Sequence, residues 1–226
     1  MIPIPLLVGC RDRFDVTWRL VEWADRCPNV KTFLVDNAST FPPLLDYYQK
    51  TTATILRANA NGGPRTPWRF VKQVLDGSRF FAITDCDLNM SDVPLDVFEI
   101  CCELLDADQS LVKVGCALSL DGLPADHIAV AREAEYWDIT KRQRKIVNGK
   151  VIECYSAPID TTFAVYRVDG PAGVYGPALR LAGEYAARHE PWHYDPKSLP
   201  EDERYYLDHL CPSGLYYSPK VKALQS

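Results

Sequence analysis

The sequence lacks several features that would each point to a particular class of protein. None of its eight cysteines forms a C-x-x-C pair, so the usual signatures of zinc sites and thioredoxin-type redox centres are missing. Its formal net charge of -5 gives no indication of a nucleic-acid partner. The apolar start, residues 1–8, is short and broken by prolines, which predicts a strand and not a signal peptide or membrane span. We therefore expect a cytoplasmic protein with reduced, buried thiols.

What is present is typical of one globular domain. The 226 residues are 47% hydrophobic and 24% charged, which provides enough apolar side chains for a core. No linker, repeat or low-complexity stretch interrupts the chain, so we predict a single domain over residues 1–226. The one basic cluster, residues 141–145, is typical of a solvated helix end.

Strand-like and helix-like apolar patterns alternate along the chain. This alternation predicts an α/β fold, with a mostly parallel sheet that carries helices on both faces. An Asn-Gly pair in the second half predicts a hairpin at residues 145–152. The predicted strands cover residues 5–9, 31–35, 53–57, 79–84, 112–120 and 161–168, and the predicted helices cover residues 16–27, 44–49, 65–75, 95–105, 129–142 and 200–210.

Polar residues follow four successive predicted strands, at residues 10–12, 36–37, 59–65 and 85–87. Ligands of open α/β sheets bind beyond the carboxyl ends of the strands. The sequence therefore predicts a ligand cleft at this edge.

Asp85 and Asp87, in "ITDCDLNM", place two repelling carboxylates one residue apart. They could hold a divalent cation that also binds phosphates, act as the nucleophile and acid of a haloacid-dehalogenase-type phosphatase, or cap the following helix. The phosphatase motif ends the first strand of its fold and has Thr or Val where Asn89 stands. Capping explains Asp92 but neither of the earlier aspartates. Cation and nucleotide binding uses both carboxylates together with the other strand ends.

Four segments, "LLVGCRDR", "FLVDNAST", "NGGPR" and "ITDCDLNM", resemble in order and spacing the donor-binding half of GT-A glycosyltransferases. The similarity is to the large inverting, family 2-like group that contains many bacterial polysaccharide enzymes. "APIDTTFAVYR" and "RHEPWHYD" look like acceptor-side elements of a compact branch. The resemblance implies a GT-A (Rossmann-like) fold, with a nucleotide-sugar half over about residues 1–120 and a smaller mixed acceptor-side half over about residues 121–226. Residues 9–12 depart from the family, which has Tyr-Asn near the end of this strand.

The resemblance also implies roles for single residues. Asp36 matches a carboxylate that binds a uracil-type base, Asp85 one that contacts the ribose, and Asp87 one that holds Mn²⁺ or Mg²⁺ on the diphosphate. His189 matches a further metal ligand. Local alternatives remain open: a capping role for Asp36, a plain turn at residues 61–65, and a local hydrogen bond for His189. The residues implied to bind the nucleotide-sugar are Cys10, Arg11, Asp36, Asn61, Gly62, Gly63, Arg65, Asp85, Cys86 and Asp87.

An inverting transfer needs a carboxylate that takes the proton of the acceptor hydroxyl. Asp160 is our choice, because it stands just before a predicted strand of the acceptor-side half; Glu184, Glu190 and Asp195 remain alternatives. Arg180 and Arg188 are candidates to neutralise the diphosphate or are surface residues. Aromatic side chains that either stack on sugars or pack in the core are Trp192, Tyr194, Tyr205, Tyr206, Tyr216 and Tyr217.

The implied activity is that of a metal-dependent inverting hexosyltransferase in polysaccharide biosynthesis. It would move a sugar from a nucleotide-diphospho-sugar, with UDP favoured, to a hydroxyl of a glycan or lipid-linked acceptor, and peripheral membrane contact is compatible with it. One alternative is a nucleotidyltransferase, although its G-x-G-x-R loop is absent from "VGCRDR". The others are a D-x-D phosphatase and a non-catalytic nucleotide-sugar-binding module.

Overall fold

The computed structural model describes residues 2–136, 138–170 and 176–209. A nine-stranded sheet has the order β3-β2-β1-β4-β9-β6-β10-β8-β7, and a small antiparallel sheet pairs β5 with β11. The strands are β1 Ile4–Cys10, β2 Val30–Asp36, β3 Thr54–Arg57, β4 Phe80–Asp85, β5 Leu88–Asn89, β6 Lys113–Cys116, β7 Arg142–Val147, β8 Lys150–Ser156, β9 Ala164–Arg167, β10 Ala178–Leu181 and β11 Arg188–His189. The α-helices are α1 Phe14–Arg26, α2 Pro42–Tyr47, α3 Val71–Val74, α4 Val97–Ala107, α5 Ile128–Ala134 and α6 Glu201–Asp208, and short 3₁₀ turns cover Thr66–Arg69, Ile139–Lys141, Gly183–Tyr185 and Glu190–Trp192.

The large sheet is mostly parallel, as predicted. Among its described strands, β9 and β8 run against the direction of the others. The regular parallel part, β1 to β4, lies in the first half of the chain, and the mixed part lies in the second half. The sheet is thus parallel in its first four strands and mixed in the other five.

Apolar side chains cover both faces of the sheet, because successive residues of a strand point to opposite faces. Leu6 and Val8 of β1 belong to the larger hydrophobic cluster, which also contains the apolar stripes of α1 and α4. Leu7 belongs to the cluster on the other face, together with Val74 of α3 and Trp68. Burying one such leucine contributes about 1.5–3 kcal/mol. The core therefore fixes the strands that carry the site.

Two expectations about the class of protein can be checked against the described residues. All seven described cysteines are free thiols, and each is buried except the half-buried Cys102, so the predicted buried thiols are confirmed for that part of the chain. None of the described helices is both long and apolar enough to span a membrane.

Two predicted helices are wrong in extent. The helix expected at residues 129–142 ends at Ala134, because Arg142 pairs with Tyr155 as the first residue of the β7–β8 hairpin. Residues 142–145 of the basic cluster therefore lie on strand β7 and not at the end of an α-helix, and Arg142 and Arg144 both pair with Glu153. The helix expected at residues 65–75 is broken into a 3₁₀ turn and the short α3.

The hairpin itself is confirmed. Its turn is Asn148-Gly149, with φ values of 50° and 77°. Both residues have the positive φ that a two-residue type I′ turn requires.

Strand register brings the predicted ligand-binding residues to one edge. Cys10 is paired with Asp36, and Asp36 with Arg57, at the carboxyl ends of β1, β2 and β3. Gly9 is paired with Asp85 at the end of β4. Because β9 is antiparallel and its first residue, Ala164, pairs with Ile83, the residues just before β9 lie at the same edge.

Candidate functional site

Asp85 stands at the centre of this edge. Its Oδ2 accepts a hydrogen bond from the hydroxyl of Thr161, which precedes β9. Burial and the negative charge of Asp87 raise the pKa of Asp85 well above its ordinary value. Asp160 is close enough to repel Asp85 electrostatically. The candidate site therefore includes the residues just before β9 as well as those at the end of β4.

Asp87 and His189 lie side by side because the small sheet joins their strands. Leu88 of β5 pairs with His189 of β11, and the backbone N–H of Glu190 donates to the carbonyl of Asp87 at 3.0 Å. The His189 Nε2 atom is 3.6 Å from Asp87 Oδ2. Burial lowers the pKa of His189 below its ordinary value of 6.5, so the ring is kept neutral, as a metal ligand must be.

One oxygen of Asp87 and one nitrogen of His189 lack partners. Asp87 Oδ1 and His189 Nδ1 are both buried, and neither makes a hydrogen bond with any described residue. A buried carboxylate oxygen left in this state is costly. Each of these two atoms would be stabilised by a further bonding partner.

Arg13 binds the other oxygen of Asp87, and sequence reasoning missed it. Its Nη1 donates to Asp87 Oδ2 at 3.0 Å, and its Nε and Nη2 donate to the two oxygens of Glu203 at 2.5 and 2.9 Å. The guanidinium also lies 3.8 Å from the ring centroid of Tyr206. Since Glu203 is 190 positions away, no sequence spacing relates the pair.

Helix α6 is thereby part of the site. Besides Glu203, it contributes Asp202, whose Oδ2 accepts a hydrogen bond at 2.7 Å from the backbone N–H of Asp15 in the first turn of α1. The N-cap residue of α1, Arg13, provides no side-chain cap of its own. A carboxylate at a helix N-terminus is favourable, so α6 supplies the missing cap from far along the chain.

The residues present fit a divalent cation that is shared with a ligand. Among the described residues, no three His, Cys, Asp or Glu side chains gather to hold a metal by themselves. Mg²⁺ bound to nucleotides, however, commonly uses one or two carboxylates, with phosphates and waters as the other ligands. The unpartnered Oδ1 of Asp87 and the neutral His189 satisfy that requirement.

Asp36 organises the turn after β2. Its Oδ1 accepts hydrogen bonds from the Ser39 N–H at 2.9 Å and the Tyr48 hydroxyl at 3.2 Å. Its Oδ2 accepts from Arg57 at 3.1 Å. The thiol of Cys10 is buried 3.2 Å from the same hydroxyl. Asp36 therefore has the local capping role that the sequence left open. Recognition of a base by Asp36 would be in addition to these hydrogen bonds.

Asn37 fixes the loop at residues 59–65, a function that sequence reasoning did not assign. Its Oδ1 accepts from the Gly62 N–H at 2.8 Å and the Thr66 hydroxyl at 3.0 Å. Its Nδ2 donates to Asn61 Oδ1 at 2.8 Å and to the Gly63 carbonyl at 3.2 Å. A Cβ on Gly62 would come within 2.7 Å of the Thr66 hydroxyl, and Gly63 has a φ of 76°. Both glycines are thus required by the loop.

This loop borders a pocket at the end of β3. The pocket has a volume of about 530 Å³, which is in the range of ligand-binding sites. Arg57 connects it to Asp36, and Arg65 is exposed nearby in the sequence. The lining residues are Arg57, Ala58, Asn59, Ala60, Asn61, Gly62, Arg69 and Phe70.

The other predicted donor-binding residues have structural partners. Arg11 donates from Nη2 to the His209 carbonyl at 3.0 Å, and its Nε lies 3.4 Å from Asp12 Oδ2. The Cys86 thiol is buried, and its backbone N–H donates to the Gly9 carbonyl at 3.0 Å. Donor contacts by these residues remain predictions.

The candidate bases occupy different surroundings. Asp160 is exposed in the connection before β9, next to Thr161. Glu184 and Asp195 are also exposed, whereas Glu190 Oε1 accepts a hydrogen bond from Asn89 at 2.7 Å. Among these four residues, Asp160 contributes to the raised pKa of Asp85. This proximity favours Asp160.

Arg180 does not face the cleft as a free cation, because it is buried and paired with Glu133 at 2.6 Å. Arg188 is exposed, with its Nε 3.7 Å from Glu190 Oε1.

Among the aromatic candidates, Trp192 lies against His189 with ring centroids 4.7 Å apart. Tyr205 packs on Phe41, and residues 216 and 217 lie outside the described part of the chain.

One comparison with known proteins bears on the fold. No family model matches the sequence, and no curated protein matches it, but 105 chains of known structure do match. One is GalNAc-T7, in a crystal structure with UDP, GalNAc and Mn²⁺, at a TM-score of 0.53 and 10% identity. The match covers 83% of this chain, which spans only 43% of that one. Another is a cytidylyltransferase from Leptospira borgpetersenii, at a TM-score of 0.43 and 8% identity, covering 74% of this chain and 61% of that one. The likeness to GalNAc-T7 confirms the predicted GT-A-like fold.

Proposed function

We propose that the protein is a glycosyltransferase that uses a nucleotide-diphospho-sugar donor, with UDP as the favoured nucleotide. The observation that carries this proposal is the cluster of Asp85, Asp87 and His189 at the carboxyl edge of the sheet, with a buried oxygen of Asp87 left without a partner. The UDP and Mn²⁺ bound to GalNAc-T7, whose fold is similar, support this choice of ligands.

The donor is proposed to lie along the four strand ends. Asp36 and the pocket beside Arg57 receive the base, because each carboxylate oxygen can accept more than one hydrogen bond. Asp85 receives a ribose hydroxyl. Asp87 and His189 would hold Mn²⁺ or Mg²⁺, and the cation would supply stabilisation of the negative charge of the leaving diphosphate. Arg13 keeps Asp87 in position from the protein side.

Asp160 is proposed as the catalytic base. Its carboxylate accepts the proton of the acceptor hydroxyl, whose oxygen forms a bond to the anomeric carbon while the bond from that carbon to the diphosphate breaks. Attack from the face opposite the leaving group inverts the configuration. The exposure of Asp160 leaves it accessible to a hydroxyl of a glycan or lipid-linked acceptor.

Turnover of nucleotide-sugars tests the proposal directly. The chain is incubated with Mn²⁺ and a panel of UDP-, GDP- and CMP-sugars, and release of the nucleotide is measured with water as acceptor. We expect UDP release from at least one UDP-sugar, its loss in EDTA, and its return when Mn²⁺ is added back.

Parallel reactions identify the alternatives. Pyrophosphate released from a nucleoside triphosphate and a sugar 1-phosphate would indicate a nucleotidyltransferase. Hydrolysis of an aryl phosphate in Mg²⁺ would indicate a phosphatase. Donor binding without any turnover, even with mixed glycan acceptors, would indicate a binding module. Each of these results contradicts the proposal.

A further inference from the structure

We propose that Lys113 and Arg180 are positioning residues that hold Asp160 at the edge of the sheet. The catalytic part of this inference rests on the proposed function, in which Asp160 is the base. The segment between β8 and β9, residues 157–163, is called the Asp160 loop below.

The two cations reach the Asp160 loop from neighbouring strands. Lys113 is on β6 and Arg180 is on β10, whose register pairs Gly115 with Arg180. Lys113 is two residues before Gly115, so its side chain is on the same face of the sheet as that of Arg180. Lys113 Nζ donates to the Ile159 carbonyl, and Arg180 Nε donates to the Pro158 carbonyl at 2.6 Å. The main chain is thus held at both residues that precede Asp160.

A third contact fixes the other side of Asp160. The hydroxyl of Thr161 donates to Asp85, while the side chain of Ile159 is buried in the core. Asp160 alone among these three successive residues is exposed. The arrangement anchors the backbone before and after Asp160 and leaves its carboxylate directed to solvent.

Burying two cationic side chains under one short loop is unfavourable, so their presence indicates a structural or functional role. Lys113 and Arg180 are 1% and 5% exposed, and residues of these types are seldom so buried. Burial lowers the pKa of Lys113 to about 8. Arg180 needs a compensating carboxylate from α5, Glu133, at 2.6 Å. Apolar side chains on β6 and β10 would avoid these costs, but they would leave the two loop carbonyls without donors.

The test compares two variants with a matched buried arginine. In Lys113→Met and Arg180→Met the donors are removed while most of the side-chain volume is kept. Arg167→Met is the control, because Arg167 is also buried and donates to the carbonyls of Leu105, Gln109 and Leu111. It lies on β9 next to Tyr166, which is paired with Lys113, so its side chain is on the opposite face of the sheet.

We expect kcat for nucleotide release to fall about 10- to 100-fold in the two variants, since small displacements of a catalytic group have effects of this size. The KM for the donor should stay unchanged, because the strand ends that bind it are intact. Arg180→Lys should recover part of the rate. Arg167→Met should lose stability but keep the kcat of the folded protein. Equal losses of kcat in all three methionine variants would mean that lost stability explains the effect, and this would overturn the inference.

Hydrogen exchange tests the positioning without any turnover. Backbone amides of the Asp160 loop should exchange faster in Lys113→Met and Arg180→Met than in the native chain and in Arg167→Met. Unchanged exchange in the loop overturns the inference even if the protein is a glycosyltransferase. Faster exchange in the two variants, together with a native chain that turns over no donor, would support the anchoring and contradict the proposed function, so the two failures can be distinguished.

Discussion

Replacing Asp160 with asparagine is expected to lower kcat for sugar transfer by about 100- to 10,000-fold, the range attributed to general base catalysis. Asparagine has a similar shape but cannot accept the proton of the acceptor hydroxyl. Donor binding should be unaffected, because Asp160 lies in the loop before β9 and not at one of the strand ends proposed to bind the nucleotide. Steady-state rates at saturating donor, together with the donor KM, measure both effects.

The remaining carboxylates of the acceptor-side half provide the controls. Glu184→Gln and Asp195→Asn alter exposed side chains, and Glu190→Gln alters one that accepts a hydrogen bond from Asn89. All three should retain a kcat within about tenfold of the native value, well short of the loss expected for a base. A native rate in Asp160→Asn combined with a large loss in any one of these variants would transfer the role of base to that residue.

Replacing Asp85 with asparagine is expected to weaken donor binding and at the same time to stabilise the metal-free protein. Loss of the proposed hydrogen bond between a ribose hydroxyl and the charged carboxylate corresponds to about a 10- to 100-fold rise in the donor KM. The gain in stability follows from the repulsion between Asp85 and Asp87 and from the burial of Asp85, which together raise its pKa above 3.8. A site that sacrifices stability for function should show this opposition.

The effect on stability depends on pH in a defined direction. At and below the ordinary pKa of 3.8, Asp85 is protonated and costs little. Between pH 3.8 and the higher pKa of Asp85 in the folded state, the folded protein holds a proton that the unfolded chain has released. The free energy of unfolding therefore decreases as the pH rises through this range. The advantage of Asp85→Asn should therefore be small at pH 4 and larger at pH 8.

Urea unfolding at these two pH values, with EDTA present, measures the difference. Asp46→Asn, at an exposed position of α2, is the control and should show the same free energy of unfolding as the native chain at both values. A variant that is less stable than the native protein at pH 8 would contradict the account of the aspartate pair.

The parts of the site that were predictable are those governed by strand direction. Asp36, Asp85 and Asp87 follow predicted strands of a parallel sheet, whose carboxyl ends must meet at one edge, so their proximity could be inferred from alternation of apolar patterns alone. The role of His189 was predicted from the resemblance to GT-A enzymes and not from the apolar patterns, since it is the pairing of β5 with β11 that brings His189 to Asp87.

The parts of the site that were not predictable depend on contacts between segments that are distant in the sequence. The ion pair of Arg13 with Glu203 joins the start of α1 to a helix near the end of the described chain. Lys113 is embedded in an apolar strand, where its charge gave no sign of a role in the Asp160 loop. The helix expected at residues 129–142 was wrong because cross-strand pairing of Arg142 prevailed over local helix propensity.

The central claim is that Asp87 holds a cation and the diphosphate of a nucleotide, and melting temperatures test it most directly. The native chain, Asp87→Ala and the exposed control Asp92→Ala are each melted with UDP, GDP or CMP, with and without Mn²⁺, and each shift is taken relative to the same chain without ligand. A ligand at about 100 times its Kd adds about 2.7 kcal/mol to the free energy of unfolding. We predict that UDP raises the melting temperature only with Mn²⁺, in the native chain and in Asp92→Ala but not in Asp87→Ala. No shift with any nucleotide, or an equal shift in Asp87→Ala, would contradict the claim.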